Sequence, residues 1–450
     1  MSRDIMQQYK EKLLTADEAA KLVKSGDWVQ YGEFVMQPKD CDAALAKRKD
    51  ELSDVKFRLV TMTWLPEVCK VDPKRESFCM NDWHYSGVSR KLQEAGICNY
   101  IPVTYHEAKR LYEEPDTELD ICFQPVTAID KNGYFNIGTS NSLASYVVKR
   151  AKKVVVEVNT SAPVCLGGFG ESIHISDVDY IVESATNPGL MNLPEGPISD
   201  VDKKIAGLVM EEVIDGSCLQ LGIGAMPNAV GAMIADSDLK DLGVHTEMLV
   251  DSFVDMYNAG RITGKKKTLD PGRMAYTFAM GTDKLYNFLD KNPVAASYPV
   301  HYTNDPFNIG LNDDVVAINN AIEVDLFGQV ASEASMGRQI SGTGGQLDFI
   351  FGSYRSKGGK PIIALSSTVK NADGSLSSRI VPGLSPGTIV TVPRSIAAYI
   401  ITEYGKVHLK AKSAWQRAEG LIGIAHPDFR DDLIKEAEKY KIWRRSNKIV

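Results

Sequence analysis

The sequence predicts an α/β protein made of two tandem, structurally related open α/β/α domains with mostly parallel sheets and an active site at their interface. Three observations lead there: length, a long-range internal repeat, and strand-like apolar runs alternating with helical stretches. At 450 residues the chain exceeds one ordinary core, and two domains of roughly 200 residues are the prior expectation. The block Gly26 to Met36, GDWVQYGEFVM, aligns with Gly216 to Met226, GSCLQLGIGAM. In the same order Val60-Thr61-Met62 meets Thr246-Glu247-Met248, Pro102 to Glu107 resembles Pro299 to Asn304, and Ile129 to Gly133 resembles Val324 to Gly328. This spacing is too long for a solenoid, so it reads as a duplicated domain, with halves at 1–190 and 197–450.

Taken in order, Thr15 and Glu18 form a capping box for a helix through Lys24, and Gly26 ends it before a strand from Asp27 to Tyr31. Phe34 to Asp40 then projects from the sheet edge. Trp83 to Arg90 mixes aromatic, small and basic groups, as a ligand loop or a plain surface loop would. The run Val154 to Val158 is apolar but for Glu157, as in a parallel strand buried on both faces. Residues Ala185 to Pro197 are rich in proline and glycine and form the best linker candidate. Ser199 and Asp202 read as a second capping box, followed by Val201, Ile205, Leu208 and Val209 at helical spacing. Past Glu247, Asp251 to Gly260 reads as helix, Ala275 to Thr282 as strand, and the segment after Pro427 as an amphipathic helix.

Composition narrows the function classes. A formal net charge of −7 argues against nucleic acid or an anionic membrane as partner. No apolar run approaches the roughly 18 residues of a spanning helix, and the first residues are polar, so the chain reads as cytoplasmic. Seven scattered cysteines without a CxxC pair fit reduced thiols, and seven histidines without paired spacing predict no metal site.

The chemistry concentrates between Gly216 and Met248. Cys218 to Leu221 reads as a buried strand, and Gly222-Ile223-Gly224-Ala225-Met226 as a small-residue turn into a helix that Pro227 opens at its first position. Such a turn offers unpaired N–H groups to a phosphate or an oxyanion, although most GxG turns only reverse the chain. Leu242 to Thr246 reads as the next strand, with Glu247 at its carboxyl end, the edge where open α/β sheets bind ligands. His245 shares a strand face with Glu247 and either orients it or fills the core. The first copy of the repeat has Thr61 where the second has Glu247, and Phe34 where the second has Gly224. That asymmetry fits one site made by two halves, or simple divergence. A second glycine-rich loop, Ser341 to Phe349, either brings a backbone N–H to a reacting group or covers a helix end.

These motifs, with Tyr302-Thr303-Asn304, Ile424 to Arg430, Cys165 to Gly168 and the Trp443-Arg444-Arg445 ending, support a comparison over nearly the whole length. The chain resembles the family I coenzyme A-transferases of the acetyl-CoA hydrolase/transferase group, most of all the butyryl-CoA:acetate type, with the 4-hydroxybutyrate type next. The resemblance implies that Glu247 is a nucleophile carrying a glutamyl-CoA thioester in a ping-pong reaction between an acyl-CoA and acetate. It implies that Asn304 holds that glutamate and that Gly345 is an oxyanion-hole donor. By the same resemblance Gly222, Ile223, Gly224, Ala225, Met226, Ile322, Gly345 and Lys370 contact CoA. It further implies acyl-CoA and short-chain carboxylates as substrates, no separate cofactor, and a homodimer or homotetramer. Phe34, Met36, Trp83 and His84 are candidate acyl-pocket walls. Hydrolysis of acyl-CoA and non-catalytic metabolite binding are the other readings.

Overall fold

The computed structural model describes residues 3–194 and 196–449; Glu195, inside the candidate linker, lies outside them. The chain divides into two compact units. One comprises Met1–Leu193 with Glu247–Asp251 and Ala275–Thr303, the other Pro194–Thr246, Ser252–Met274 and Asn304–Val450.

The first unit is built on a seven-stranded, all-parallel sheet. Its order is Cys98–Tyr100, Phe78–Asp82, Val55–Leu59, Trp28–Tyr31, Ile121–Val126, Lys153–Val158 and Tyr180–Glu183. Strand Lys153–Val158 is paired on both edges, and its side chains alternate between two cores. Val155 packs with Tyr31 and Phe57 on one face, while Val154 and Val156 pack with Phe135 and Val147 on the other. That two-sided burial explains why the strand is apolar at every position from Val154 to Val158 except Glu157. The second core also takes in Phe278, Met280 and Val300, which is why the segment 275–303 groups with residues far earlier in the chain.

The second unit carries a sheet whose neighbouring strands run Gly243–His245, Cys218–Leu221, Val315–Asn320, Lys360–Ala364, Tyr399–Thr402 and Gly405–His408. All pair in parallel except the last hairpin. Each sheet therefore reverses its winding direction at the strand of the repeated block, Trp28–Tyr31 or Cys218–Leu221, and open α/β folds bind ligands outside such a switch point. The repeat also holds at the level of turns. Asp130 accepts from the N–H groups of Asn132 and Tyr134 at 2.8 and 2.9 Å, and Asp325 from those of Phe327 and Gln329 at 3.0 and 2.8 Å. Gly133 and Gly328 close these turns at φ 91° and 87°.

Three elements differ from the sequence expectation, each for a local reason. The helix Ala225–Asp236 is capped by Gly224, so Pro227 is its third residue; the first turn tolerates proline there because its N–H groups lack intrahelical acceptors. The first capped helix stops at Ala20, and the Lys24 N–H turns to the Asp27 carboxylate at 2.8 Å. The strand expected over 275–282 is broken into Met274–Tyr276 and Phe278–Ala279, because the Thr277 and Phe278 N–H groups both donate to the Glu247 carbonyl, at 3.0 and 3.3 Å. Contiguous blocks at 1–190 and 197–450 do not describe the compact units, since Glu247–Asp251 and Ala275–Thr303 group with the first.

Candidate functional site

In the second unit, the carboxyl ends of three neighbouring strands present a group of the expected residues. Cys218–Leu221 leads into Gly222 to Met226, Val315–Asn320 into Ile322, and Lys360–Ala364 into the hairpin that carries exposed Lys370. Gly224 sits at φ 118°, a conformation open to glycine and strained for other residues, and it places the first-turn N–H groups of Ala225–Asp236 at the sheet edge. Ile223 is 47 % exposed, so this turn leaves backbone open to approach, while Met226 anchors it from below at 6 %.

The second glycine-rich loop ends in a helix as well. Gly345 is the N-cap of Gln346–Arg355, after Gly344 at φ 52°. The Gln346 side-chain amide donates to the Asn320 carbonyl at 2.6 Å, tying this helix start to the strand end that precedes Ile322. Fully buried Asn304 donates through Nδ2 to the Asp348 carboxylate at 3.4 Å, which places Asn304 and Gly345 at one helix N-terminus. Both readings of the loop meet here, since a loop at a helix end is also what presents N–H groups to an anion.

Glu247 follows the strand Gly243–His245 by two positions and groups with the first unit, whereas the other expected site residues belong to the second. It is half-buried, and its backbone is held through its carbonyl by Thr277 and Phe278. Behind them, the Ser142 N–H donates to the Thr277 carbonyl at 3.1 Å, and the Ser142 hydroxyl lies 2.6 Å from that of Tyr105. The Phe278 ring stacks on Phe34 with centroids 3.6 Å apart. His245 is completely buried against Phe349, ring centroids 6.3 Å apart, in the second unit.

The same edge of the first unit is strained and acidic. Phe34 and Thr61, the counterparts of Gly224 and Glu247 in the repeat, have φ of 54° and 52°, a region costly for residues with a Cβ. The Thr61 N–H donates to Asp82 at 3.1 Å, and Gln37 donates to the carbonyls of Phe34 and Thr61 at 2.7 and 3.1 Å. Burial raises Asp82 to about 6, against hydrogen bonds from Ser89, His84 and Thr61 that lower it. Burial and then the Arg90 charge push His84 down to about 4, leaving it neutral near pH 7. Glu33, directly after the strand Trp28–Tyr31 and Gly32, is raised by burial to about 7, opposed weakly by Ser142 and Leu143. Phe34, Met36 and Trp83 are all buried within this unit, and His84 is the half-buried member of the candidate wall group.

Neither Glu33 nor Asp82 was singled out from sequence, nor was Glu333, whose carboxylate accepts from the Thr343 and Thr391 hydroxyls at 3.1 and 3.0 Å. An isolated acid in a loop has no periodic signature. Only the repeat marked Glu33, as the neighbour of the Phe34 position.

Comparison with known proteins gives this arrangement a family. Residues 1–189 match the acetyl-CoA hydrolase/transferase N-terminal domain and residues 281–437 the C-terminal domain of the same family. The chain is 51 % identical to the butyryl-CoA:acetate CoA-transferase of Anaerostipes caccae over 98 % of its length and 99 % of that protein. It is 48 % identical to the probable butyrate:acetyl-CoA coenzyme A-transferase of Syntrophomonas wolfei, with both chains fully covered. The crystal structure of RipA from Yersinia pestis superposes with a TM-score of 0.86 at 36 % identity, covering 98 % of this chain and 100 % of that one. With one domain match in each repeat and the relatives alike from end to end, the chain belongs to the acetyl-CoA hydrolase/transferase family, as an enzyme of its coenzyme A-transferase group.

Proposed function

We propose that this protein transfers coenzyme A from butyryl-CoA to acetate by a ping-pong reaction through a thioester on Glu247. The observation that carries the reading is the pair of glycine-entered helix N-termini at the carboxyl edge of one mostly parallel sheet, with a carboxylate two residues past the strand Gly243–His245 in the chain. High identity to the Anaerostipes caccae enzyme supports butyryl-CoA and acetate as the substrate pair.

In the first step a Glu247 carboxylate oxygen attacks the butyryl thioester carbon. The C–S bond breaks, leaving a mixed anhydride and CoA thiolate. The thiolate then attacks the Glu247 carbonyl carbon, releasing butyrate and forming the glutamyl-CoA thioester. Acetate attacks that same carbon to give a glutamyl–acetyl anhydride and free thiolate. The thiolate takes the acetyl group, and Glu247 returns as carboxylate. No proton or electron is gained or lost overall, so the sequence of steps balances without a redox cofactor.

A carboxylate is a weak nucleophile, and the rate must come from placement and from stabilising the tetrahedral oxyanion. Binding of the nucleotide and pantetheine at the Gly222–Met226 turn holds the thioester in register. The Gly345 N–H at the start of Gln346–Arg355 serves as oxyanion donor, a contribution of roughly 3–4 kcal/mol in mutational precedents.

Incubation with butyryl-CoA and no acceptor, borohydride trapping and peptide mass analysis test the reading. The modification is expected on Glu247 and absent from Glu247→Ala, which retains CoA binding. Adduct on another residue, or free CoA released without an acceptor, would refute it.

A further inference from the structure

Glu333 is 5 % exposed and holds the second glycine-rich loop by both its backbone and its side chain. Its carbonyl accepts from the Ile340 and Ser341 N–H groups at 2.7 and 3.0 Å. One carboxylate oxygen accepts from the Thr343 hydroxyl at 3.1 Å and the other from the Thr391 hydroxyl at 3.0 Å. Thr391 is fixed in turn, because its hydroxyl accepts from the Ser332 N–H at 3.0 Å and its own N–H donates to the Val330 carbonyl at 2.9 Å. One buried residue thus ties the loop at 340, 341 and 343, up to two residues before Gly345, to the backbone beside the antiparallel bridge Val330–Val392.

The glycines make such a tie necessary. Gly342, Gly344 and Gly345 give the loop wide backbone freedom, which is useful for close approach but works against a fixed N–H direction. A neighbour that bonds at three points removes that freedom at its source. Misplacement of a catalytic group by about 1 Å costs on the order of 100-fold in rate.

We infer that Glu333 is a positioning residue of the transfer reaction: through Thr343 it sets where the Gly344–Gly345 N–H groups meet the oxyanion. The inference rests on the proposed role of Gly345. Because the clamp orients a donor used in the transition state, its loss lowers kcat and leaves KM for acyl-CoA little changed. The carboxylate charge is not required, only an acceptor within reach of the Thr343 hydroxyl. Glu333→Gln therefore keeps most of the function, since its amide oxygen still accepts from one threonine.

The test compares wild type with Thr343→Val, Glu333→Gln and Glu333→Ala in steady-state transfer from butyryl-CoA to acetate, together with the single-turnover rate of Glu247 adduct formation. Thr343→Val is the gentle variant and leaves the buried acid and its Thr391 bond in place. It is expected to slow adduct formation and kcat by about 10-fold, and Glu333→Ala by about 100-fold, with KM within twofold. Glu333→Gln should stay within about fivefold of wild type. Amide exchange over 340–346 should speed up in Thr343→Val while the melting temperature holds. Unchanged kcat in Thr343→Val with faster exchange would overturn the inference, as would a rise in KM alone. With the wild-type adduct present on Glu247, such a result refutes the clamp and leaves the proposed function intact. Absence of that adduct in wild type refutes both.

Discussion

Glu33 carries a carboxyl group that is 2 % exposed, and burial raises it from an ordinary 4.5 to about 7. The sign of its effect follows from proton binding. Below about pH 4.5 both folded and unfolded chains hold the proton; between there and 7 the unfolded chain releases it while the folded one keeps it. The folded state then binds more protons, so stability falls as pH rises through this window, by roughly 3 kcal/mol at full ionisation. Glu33→Gln removes the titration. It should be more stabilising, relative to wild type, at pH 8 than at pH 5, by an amount approaching that figure in denaturant melts. Equal effects at the two pH values would show that Glu33 ionises normally. A position such as this is legible in sequence only through the repeat, because burial is decided by contacts remote in the chain, such as Tyr112 and Ser142. Glu247 stands out in sequence for a different reason: it lies just past a short strand, Gly243–His245, one helix after a glycine turn, a local pattern with a known place in open sheets.

At the scale of elements, local rules predicted most of what formed. Both capping boxes, Thr15 with Glu18 and Ser199 with Asp202, close in the structure, and Pro427 opens the helix Pro427–Lys439 at its first position. These signals depend on residues three or four apart and therefore survive folding unchanged. The strand read over 275–282 failed because its interruption comes from elsewhere: Glu247 draws two successive N–H groups out of line. The turn Gly222 to Met226 gives a functional prediction of its own. Alanine at Gly224 must adopt φ 118° or move the helix start, at a cost of about 1–3 kcal/mol. Since the proposed turn contacts CoA in both ground and transition states, Gly224→Ala should raise KM for butyryl-CoA several-fold while kcat falls less. A variant with unchanged KM would remove this turn from the CoA site.

For the whole molecule, the compact units do not follow the repeat boundaries. Phe278, Met280 and Val300 complete the core that holds Phe34, Val60 and Trp83, and they come from a segment numbered inside the second repeat. A fragment of residues 1–193 lacks them and leaves Phe34 without its stacked partner. It should therefore show helix and strand signal in far-UV circular dichroism but bind ANS and lose near-UV signal, as a loosely packed state does. A cooperative melt with native near-UV signal would mean that the inserted residues are dispensable for this core.

The sequence by itself determined the α/β class, the repeated blocks, and the turn and cap residues, because each depends on periodicity or on spacing within one or two elements. The tertiary structure alone decided which segments share a core, that Glu247 is held through its carbonyl by Thr277 and Phe278, and that Glu333 secures the glycine loop. Those contacts join residues tens of positions apart, and what selects them is the burial and hydrogen-bond satisfaction of the folded chain as a whole.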